Sequence, residues 1–309
     1  MILHLIKWSI DAGEWVCGPT VFNREMPAVA RVVRNIPYGR DRLQRLDVYV
    51  PSGAGPFPTL VFFHGGAWIA GDKFAYERVC RSFAAAGFLT VNANYRLWPR
   101  HVFPKPSQDV ASAVRWAHDH AAEFGGDGSK IFLAGDSAGA HLALSYAAGL
   151  ARPELFEATS VARPIPAEAV RGLLLFYGVY DCERLLGSGR LVSEASARQL
   201  LGLVSAKPPG GAGSRAATYR ERLRVVSPIR HLTRALPPCF VTAGERDFLH
   251  GDSVALVREL ERLGVPHRAL LFSAREHPMA FHAFLNFYRR PCAQTAMREA
   301  MAFMRGIVA

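Results

Sequence analysis

Residues 131–149 read IFLAGDSAGAHLALSYAAG, and this stretch decides how the chain can fold. The apolar run at 131–134 is typical of a buried strand, and the Ala- and Leu-rich segment 140–148 predicts a helix that ends before Gly149. Between the two lies Gly-Asp-Ser-Ala-Gly, which places Ser137 between glycines on a tight strand-to-helix turn. Such a turn strains the serine backbone and leaves no room for a Cβ on either side, which is the pattern of a nucleophile elbow.

The elbow motif alone is short enough to occur by chance, as a glycine-rich turn with an incidental serine. The rest of the chain therefore decides between the two interpretations. In a true elbow the Ser137 hydroxyl stands clear above the sheet, with the partial positive charge of the helix N-terminus beneath it.

The composition bounds the fold class and the partners. A chain of 309 residues suits one large α/β domain with an insertion, or two small domains. With 50% hydrophobic and 20% charged residues it can bury a sizeable core, which excludes wholesale disorder. The net charge of +11 raises the question of nucleic-acid or membrane partners. Because the arginines are scattered and only Arg289 and Arg290 are adjacent, we interpret them as solvated surface residues and expect no nucleic-acid partner.

The five cysteines are odd in number, far apart in sequence and in no Cys-x-x-Cys pair, which argues against a disulfide framework and against a zinc site. They are typical of small buried residues in a reducing compartment, so we expect a cytoplasmic protein. The opening apolar stretch is broken by His4, Lys7 and Asp11 and is not interpreted as a signal peptide. No apolar run reaches the roughly eighteen residues of a membrane span, so none is expected.

Strands and helices alternate along the chain. Residues 30–36 and 43–50, joined by a turn at 38–41, predict an antiparallel hairpin. From residue 59 onward apolar runs alternate with helical segments, which predicts an α/β fold with a doubly wound, mostly parallel sheet. The further strands are predicted at 59–63, 88–92, 131–134, 171–177, 239–243 and 268–272, and the further helices at 76–86, 106–121, 252–263 and 293–305.

One segment interrupts this alternation. Residues 181–226 contain two helical patterns on either side of a Pro- and Gly-rich stretch at 207–213. Because a structureless loop of this length is improbable inside a core, we interpret the segment as an inserted small helical cap with a mobile loop. Residues 1–28 have mixed helical character and could pack over the site as part of that cap, so the main domain is predicted at 29–309.

A serine nucleophile needs partners, and the topology restricts where they can lie. Attack on a carbonyl requires a base, an acid that orients the base, and donors for the oxyanion. In a doubly wound sheet these groups gather beyond the carboxyl ends of the strands, in the chain order serine, acid, histidine. Asp247 follows the strand predicted at 239–243 and is the favoured acid. Asp252 is expected to cap the next helix instead, and Asp181 lies one strand too early.

Two histidines, His277 and His282, follow the last predicted strand and compete for the role of base. We favour His282, because its apolar neighbours at 281–285 would clamp the ring against the sheet edge. His277 lies in a polar segment and precedes Pro278, which restricts its backbone to extended forms. It also lies nearer the strand, so it stays open as the alternative base.

The strand predicted at 59–63 ends in the sequence His-Gly-Gly-Ala-Trp. The backbone N–H groups of Gly66 and Ala67, with that of Ala138 after the serine, are the natural oxyanion donors. Only glycine or alanine lets the backbone come this close to a substrate carbonyl. We expect His64 to hold this loop by hydrogen bonding rather than to transfer protons.

Three bulky side chains, Trp68, Trp98 and Phe248, neighbour the motif loops and are expected to line the substrate pocket. Together with the short predicted cap they favour acyl chains of about two to eight carbons, since each methylene contributes only about 0.8 kcal/mol where it finds apolar room.

The ordered motifs resemble the hormone-sensitive-lipase-like family of α/β-hydrolase carboxylesterases, the bacterial family IV esterases. The family's Gly-Asp-Ser-Ala-Gly is matched without change at 135–139. Its His-Gly-Gly-Gly appears at 64–67 with Ala67 in place of the third glycine, which keeps the N–H donor and adds a methyl group that would narrow the acyl side. Its Asp-Tyr-Arg-Leu-Ala-Pro-Glu is similar to Asn-Tyr-Arg-Leu-Trp-Pro-Arg at 94–100, and its His-Gly-Phe to His-Ala-Phe at 282–284.

The resemblance covers roughly residues 40–309, and the motifs are specific because they occur together and in order. It implies an α/β-hydrolase fold and a serine carboxylesterase that acts through an acyl-enzyme intermediate, with Ser137 as nucleophile, His282 as base and Asp247 as acid. It implies neither a metal nor an organic cofactor. The expected partner is a small-molecule ester, and the expected assembly is a monomer or a homodimer.

Two alternatives stay open at this point. His-Gly-Gly-Ala-Trp and Ser-Ala-Gly-Ala-His also resemble formamidase and small esterase relatives, so an arylformamidase or amidase with the same triad is the first alternative. The second is a non-catalytic ligand receptor, because some hydrolase folds bind ligands after losing a triad residue. Every triad position has a candidate in this chain, which favours the enzyme.

Overall fold

An eight-stranded sheet forms the centre of the computed structural model, which describes residues 2–162, 164–187, 193–202 and 212–309. The strand order is β1-β2-β4-β3-β5-β6-β7-β8. The first two pairings in that order are antiparallel and all the others are parallel, which confirms the predicted doubly wound sheet with its opening hairpin. The strands are β1 Arg31–Pro37, β2 Arg45–Val50, β3 Phe57–Phe63, β4 Leu89–Ala93, β5 Gly126–Asp136, β6 Val170–Phe176, β7 Cys239–Gly244 and β8 His267–Phe272.

Helices cover both faces of the sheet. They are α1 Ile2–Cys17, α2 Glu77–Ala85, α3 Lys105–His120, α4 Ala138–Ala151, α5 Glu154–Thr159, α6 Cys182–Gly187, α7 Glu194–Leu200, α8 Ala212–Val225, α9 His250–Leu263 and α10 Pro291–Val308. Among the described residues, no helix combines the length and the apolar character that a membrane span requires.

The central strands are apolar on both faces because each face contributes to a separate core. Along β3, Val61 and Phe63 belong to the core that includes α3 and α4, whereas Leu60 and Phe62 belong to the core that includes α2 and α10. This alternation follows from the two-residue period of a strand. It explains why the sequence shows a continuous apolar run here rather than an amphipathic pattern.

The boundary of α4 differs from the prediction. The helix continues to Ala151, so Gly149 lies inside it rather than after its end. The physical reason is the ring of Phe156 on α5, a helix that the sequence pattern did not indicate. A Cβ on Gly149 would lie 2.3 Å from Phe156 Cε1, so the missing side chain is used for close packing and not for helix termination.

Helices α6, α7 and α8 lie within the segment predicted as a cap insertion and share a small apolar core of their own. It contains Val179, Cys182, Leu186, Ala197, Leu201, Tyr219, Leu223, Val226 and Leu249. The Tyr219 hydroxyl also donates to the carbonyl of Leu186 at 3.1 Å. The loop predicted to be mobile, 207–213, lies largely outside the described residues, and the domain boundaries stay a prediction.

The N-terminal helix α1 packs both on the loop after β3 and on the cap helix α7. Its buried Leu3 belongs to an apolar cluster with Ile69, Ala70, Trp98 and Leu200. The helix therefore bridges the loop that follows β3 and the end of α7. Whether residues 1–28 form part of the cap stays a prediction.

Polar contacts of α1 continue this docking towards its C-terminus. The Glu14 carboxylate accepts a hydrogen bond from the backbone N–H of Asp72 at 3.0 Å, and Asp11 accepts from that of Gly71 at 3.4 Å. The pKa of Glu14 is raised to about 8. Burial is the largest cause, the hydrogen bond from Asp72 opposes it, and the carboxylates of Asp136, Asp72 and Asp11 add to it.

We predict that Glu14→Gln changes the pH dependence of stability. Because the pKa of Glu14 is raised in the folded state, its contribution to the free energy of unfolding is fully present below the ordinary glutamate pKa. That contribution is lost as the pH rises through about 8. Glutamine keeps an acceptor for Asp72 and cannot ionise. The melting temperature of the variant, relative to wild type, should therefore rise from about pH 6 to about pH 9.

The matched control for this test is Glu157→Gln, which removes an exposed carboxylate on α5. A difference in melting temperature between Glu14→Gln and wild type that did not change with pH would contradict the prediction.

Candidate active site

The turn between β5 and α4 holds Ser137 in a strained conformation, with φ +49° and ψ −116°. A residue other than glycine rarely adopts such a backbone unless its surroundings enforce it. The two flanking glycines allow the enforcement, because a Cβ on Gly135 or Gly139 would lie 2.7 Å or 2.0 Å from the carbonyl oxygen of Phe63. The turn therefore has the lack of space around both glycines that is typical of a nucleophile elbow.

Ser137, His282 and Asp247 form one hydrogen-bonded line. His282 Nε2 lies 3.0 Å from Ser137 Oγ, and His282 Nδ1 lies 2.9 Å from Asp247 Oδ2 and 3.0 Å from Asp247 Oδ1. A carboxylate can only accept, so Nδ1 carries the ring proton and Nε2 is free to accept from the serine hydroxyl. Asp247 is only 4% exposed, and it also accepts from the backbone N–H of Leu249 at 2.8 Å, which fixes the carboxylate.

The His282 ring is held by aromatic residues from two other loops. Tyr177, after β6, meets it edge-on with ring centroids 5.2 Å apart, and Phe248 lies on it at 4.6 Å. The aromatic contacts of the ring thus come from outside 281–285. The expected clamp by the chain neighbours at 281–285 stays a prediction. Phe284 packs against Tyr177, with ring centroids 5.0 Å apart, and so supports the ring that contacts His282.

His277 and Asp252, the alternative candidates for the base and the acid, have other partners. His277 packs its ring on Phe272 at 4.7 Å, and its backbone N–H donates to the carbonyl of Ser273. Asp252 does not cap α9, as expected from the sequence, because it lies within the first turn of that helix. Its buried carboxylate instead accepts from the backbone N–H of Tyr180 at 2.9 Å and pairs with Arg184, so it ties α9 to the loop after β6.

The loop after β3 has three consecutive residues with positive φ: Gly66 at +110°, Ala67 at +53° and Trp68 at +62°. A Cβ on Gly66 would lie 2.1 Å from the carbonyl oxygen of Ala70, so this position admits only glycine. The turn is closed by the N–H groups of Ile69 and Ala70, which both donate to the Gly66 carbonyl at 3.0 Å. For Ala67 and Trp68 the conformation costs free energy, which surrounding contacts must offset.

His64 at the base of this loop is fully buried and stacks on Tyr95 with ring centroids 4.4 Å apart. Its Nδ1 donates to the carbonyl of Gly65 at 2.6 Å, since a carbonyl can only accept, and the Tyr95 hydroxyl donates to the carbonyl of His64 at 2.9 Å. Burial lowers the pKa of His64. These contacts agree with the expected role of holding the loop.

Two buried titratable residues near Ser137, Asp136 and His141, were not predicted from the sequence to take part in the site. Asp136 precedes the serine, and burial raises its pKa to about 7 against the hydrogen bond that it accepts from the Tyr76 hydroxyl at 3.0 Å. His141 follows one turn later and bonds to Trp68 and to Val226. The sequence signals for His141 were its place in the Ser-Ala-Gly-Ala-His motif and its polarity in an otherwise Ala- and Leu-rich helix.

An apolar cavity lies between the cap helices and α3 and α4. Its walls include Trp68, Phe103, His141, Leu186, Leu201 and Val226. Of the three residues predicted to line a pocket, Trp68 lies in this wall. Phe248 is exposed beside His282, and Trp98 is buried under α1 against Leu3, outside the lining of the cavity.

The chain matches the model of a protein family described as alpha/beta hydrolase fold over residues 60–285. It is 33% identical over 287 residues to the esterase LipC of Mycobacterium tuberculosis, which covers 85% of this chain and 67% of that protein. It is 28% identical over 254 residues to the probable isoprenylcysteine alpha-carbonyl methylesterase ICMEL1 of Arabidopsis thaliana, covering 81% of this chain and 52% of that protein. The chain thus spans about two thirds and about half of the length of these curated relatives.

Solved structures with a similar fold include esterase B from Lactobacillus rhamnosis inhibited by a tributyrin phosphonate, with a TM-score of 0.80 and 24% identity over 97% of this chain and 92% of that one. The esterase of Pyrobaculum calidifontis has a TM-score of 0.73 and 24% identity over 100% of this chain and 94% of that one. At this level of identity the likeness shows the fold.

Proposed function

The chain belongs to the alpha/beta-hydrolase family, and on this premise we propose that it is a serine carboxylesterase that hydrolyses esters of short- to medium-chain acids through an acyl-enzyme intermediate. The observation that carries the proposal is the hydrogen-bonded line from Asp247 through His282 to Ser137. The esterase names of the relatives support it.

In the first step Ser137 Oγ attacks the ester carbonyl carbon and its proton passes to His282 Nε2. The carbonyl electron pair moves to the oxygen, and the backbone N–H groups of Gly66, Ala67 and Ala138 donate to the oxyanion. Asp247 stabilises the imidazolium that forms and keeps the ring in its tautomer. The N-terminus of α4, which begins at Ala138, adds its partial positive charge on the same side.

In the second step the tetrahedral intermediate collapses. The bond to the alkoxy oxygen breaks, the His282 Nε2 proton passes to the leaving alcohol, and the acyl group stays on Ser137. A water molecule then attacks the acyl carbon and gives its proton to His282, the bond to Ser137 breaks, and Ser137 recovers its proton as the acid leaves.

The apolar cavity beside α4 supports a short acyl chain as the preferred group. It is bounded by Trp68 on the loop after β3, which we call the oxyanion loop, and by Leu186 and Leu201 on the cap side. Both leucines also pack in the cap core. We also retain a small-molecule ester as the partner, with a monomer or homodimer as the expected assembly. A cytoplasmic location is supported by the five unpaired thiols, four of them buried.

The direct test is Ser137→Ala. This substitution should lower ester hydrolysis by about four to six orders of magnitude while the chain stays folded, because the nucleophile is lost and the elbow geometry is compatible with alanine. The turnover of 4-nitrophenyl acetate and the far-UV circular dichroism spectrum are measured together. Retention of more than about a tenth of wild-type turnover would overturn the nucleophile assignment.

Single variants of the two histidines separate the candidates for the base. His282→Ala should abolish turnover, because no group would accept the serine proton. His277→Ala should change kcat/KM by less than about tenfold, since that ring packs on Phe272 whereas His282 is hydrogen-bonded to the serine. Steady-state kinetics on both variants decides the matter, and the reverse pattern would assign the role to His277.

A panel of nitrophenyl esters tests the acyl preference. We expect kcat/KM to rise with chain length while the cavity fills and to fall beyond about eight carbons, because each added methylene contributes about 0.8 kcal/mol only where apolar room remains. N-formylkynurenine is assayed beside the esters as the arylformamidase substrate. A kcat/KM that climbs through the sixteen-carbon ester, about twice that length, would contradict the short acyl preference, and faster turnover of N-formylkynurenine would favour the amidase alternative.

A further inference from the structure

His141 connects three parts of the proposed site. It lies on α4 one turn after Ser137, whose carbonyl accepts its backbone N–H at 3.1 Å, and its side chain is buried. The Trp68 indole N–H donates to His141 Nδ1 at 3.2 Å, with the two rings edge-on at 5.0 Å. His141 Nε2 lies 2.7 Å from the carbonyl oxygen of Val226. The nucleophile helix, the oxyanion loop and the end of the cap thus meet at one imidazole.

These partners fix the tautomer. A carbonyl oxygen can only accept, so His141 Nε2 must carry the ring proton, and an indole N–H can only donate, so Nδ1 must be the acceptor. Both requirements are met by one neutral form of the ring. Burial lowers the pKa of His141 to about 4, which keeps the ring neutral near pH 7.

The oxyanion loop needs an external support of this kind. Ala67 and Trp68 have φ values of +53° and +62°, a conformation that non-glycine residues leave unless contacts hold them. The backbone carbonyl of Trp68 accepts from the N–H of Trp98 at 3.2 Å, which holds one side of the residue. The bond from the indole to His141 holds the other end, and of these two bonds it is the one that reaches the helix that carries the serine.

The second bond of His141 reaches the cap. Val226 directly follows the last residue of α8, Val225, and its side chain belongs to the cap core. Trp68, His141 and Val226 also share a wall of the apolar cavity. A shift of the cap against α4 would therefore move the Val226 carbonyl, which orients the His141 ring. The ring would turn, and its Nδ1 would move away from the Trp68 indole N–H.

We propose that His141 is a positioning residue that holds the Trp68 indole, and through it the Gly66 and Ala67 turn, in the conformation that presents the oxyanion donors. Its bond to Val226 orients the imidazole for this task and couples the loop to the cap. The inference rests on the proposed serine-hydrolase function of the site.

Two substitutions divide the roles of the ring nitrogens. His141→Asn places an amide oxygen near the position of Nδ1, so it keeps an acceptor for Trp68 and loses the bond to Val226. His141→Gln places an amide nitrogen near the position of Nε2, so it keeps the donor to Val226 and loses the acceptor for Trp68. Trp68→Phe removes the indole N–H and keeps an aromatic ring in the same wall.

The expected orders of activity and stability are opposite. His141→Gln and Trp68→Phe should each lower kcat by about tenfold to a hundredfold with KM changed less than about twofold, because a displaced oxyanion donor acts only on the transition state. His141→Asn should keep kcat within about threefold of wild type and yet have the lowest melting temperature, since it leaves the buried Val226 carbonyl unpaired. The double variant His141→Gln with Trp68→Phe should lose no more than either single variant.

Kinetics are normalised to active sites counted with diethyl 4-nitrophenyl phosphate, which phosphorylates a reactive serine and releases one nitrophenolate per site. If wild type releases none, the proposed function fails rather than the role of His141. If all variants release one equivalent and kcat follows the melting temperature, with His141→Asn the slowest, then His141 has only a structural role and the proposal is overturned.

Discussion

The positive φ of Ser137 depends on the close approach of the elbow to the end of β3, where the carbonyl of Phe63 leaves no space for side chains at 135 and 139. The same contact places the end of β3 beside the turn that carries Ser137. Phe63 pairs with Gly135 in the parallel ladder, so the loop that begins at His64 leaves the sheet beside the turn that carries the serine. On the other side Asp136 pairs with Phe176, and Gly244 pairs with Phe272. The loops that supply Tyr177, Asp247 and His282 therefore open at the same edge of the sheet, as parallel strands require.

This register brings strained backbone and buried polar groups together. The positive φ values at Ala67, Trp68 and Ser137 cost free energy that only a well-packed surrounding can offset. Part of the support comes from buried imidazoles kept neutral, because burial lowers the pKa of both His64 and His141. A neutral ring can donate with one nitrogen and accept with the other, whereas a protonated ring can only donate. His141 uses both ring nitrogens in this way, and His64 uses Nδ1. His282, which lies against Ser137, is the histidine that we propose moves a proton.

Local sequence patterns predicted the sheet, the elbow and the chain order of serine, acid and histidine, because glycines without room for a Cβ and period-two apolar runs leave direct traces in the sequence. The roles assigned to these residues stay proposals. What the sequence did not predict depends on contacts between segments far apart in the chain. Asp252 resembles a helix cap until Tyr180 and Arg184 are seen to occupy its carboxylate. Gly149 resembles a helix end until Phe156 packs on it, and the partners of His141 lie 73 and 85 residues away.

Trp98 is a residue whose role, predicted from the sequence, differs from the one that its contacts indicate. Its position in a motif loop suggested a pocket wall, yet it packs under α1 with Leu3, Ile69 and Leu200. Its N–H meanwhile donates to the carbonyl of Trp68, so the residue is joined to the oxyanion loop through the backbone. Helix α1 adds Glu14 and Asp11 on the N–H groups of Asp72 and Gly71, directly after that loop. The loop is therefore held from the outside by α1 and Trp98 and from the inside by His64 and His141. The oxyanion loop, with positive φ at Gly66, Ala67 and Trp68, keeps this strained conformation because residues pack against it on both sides.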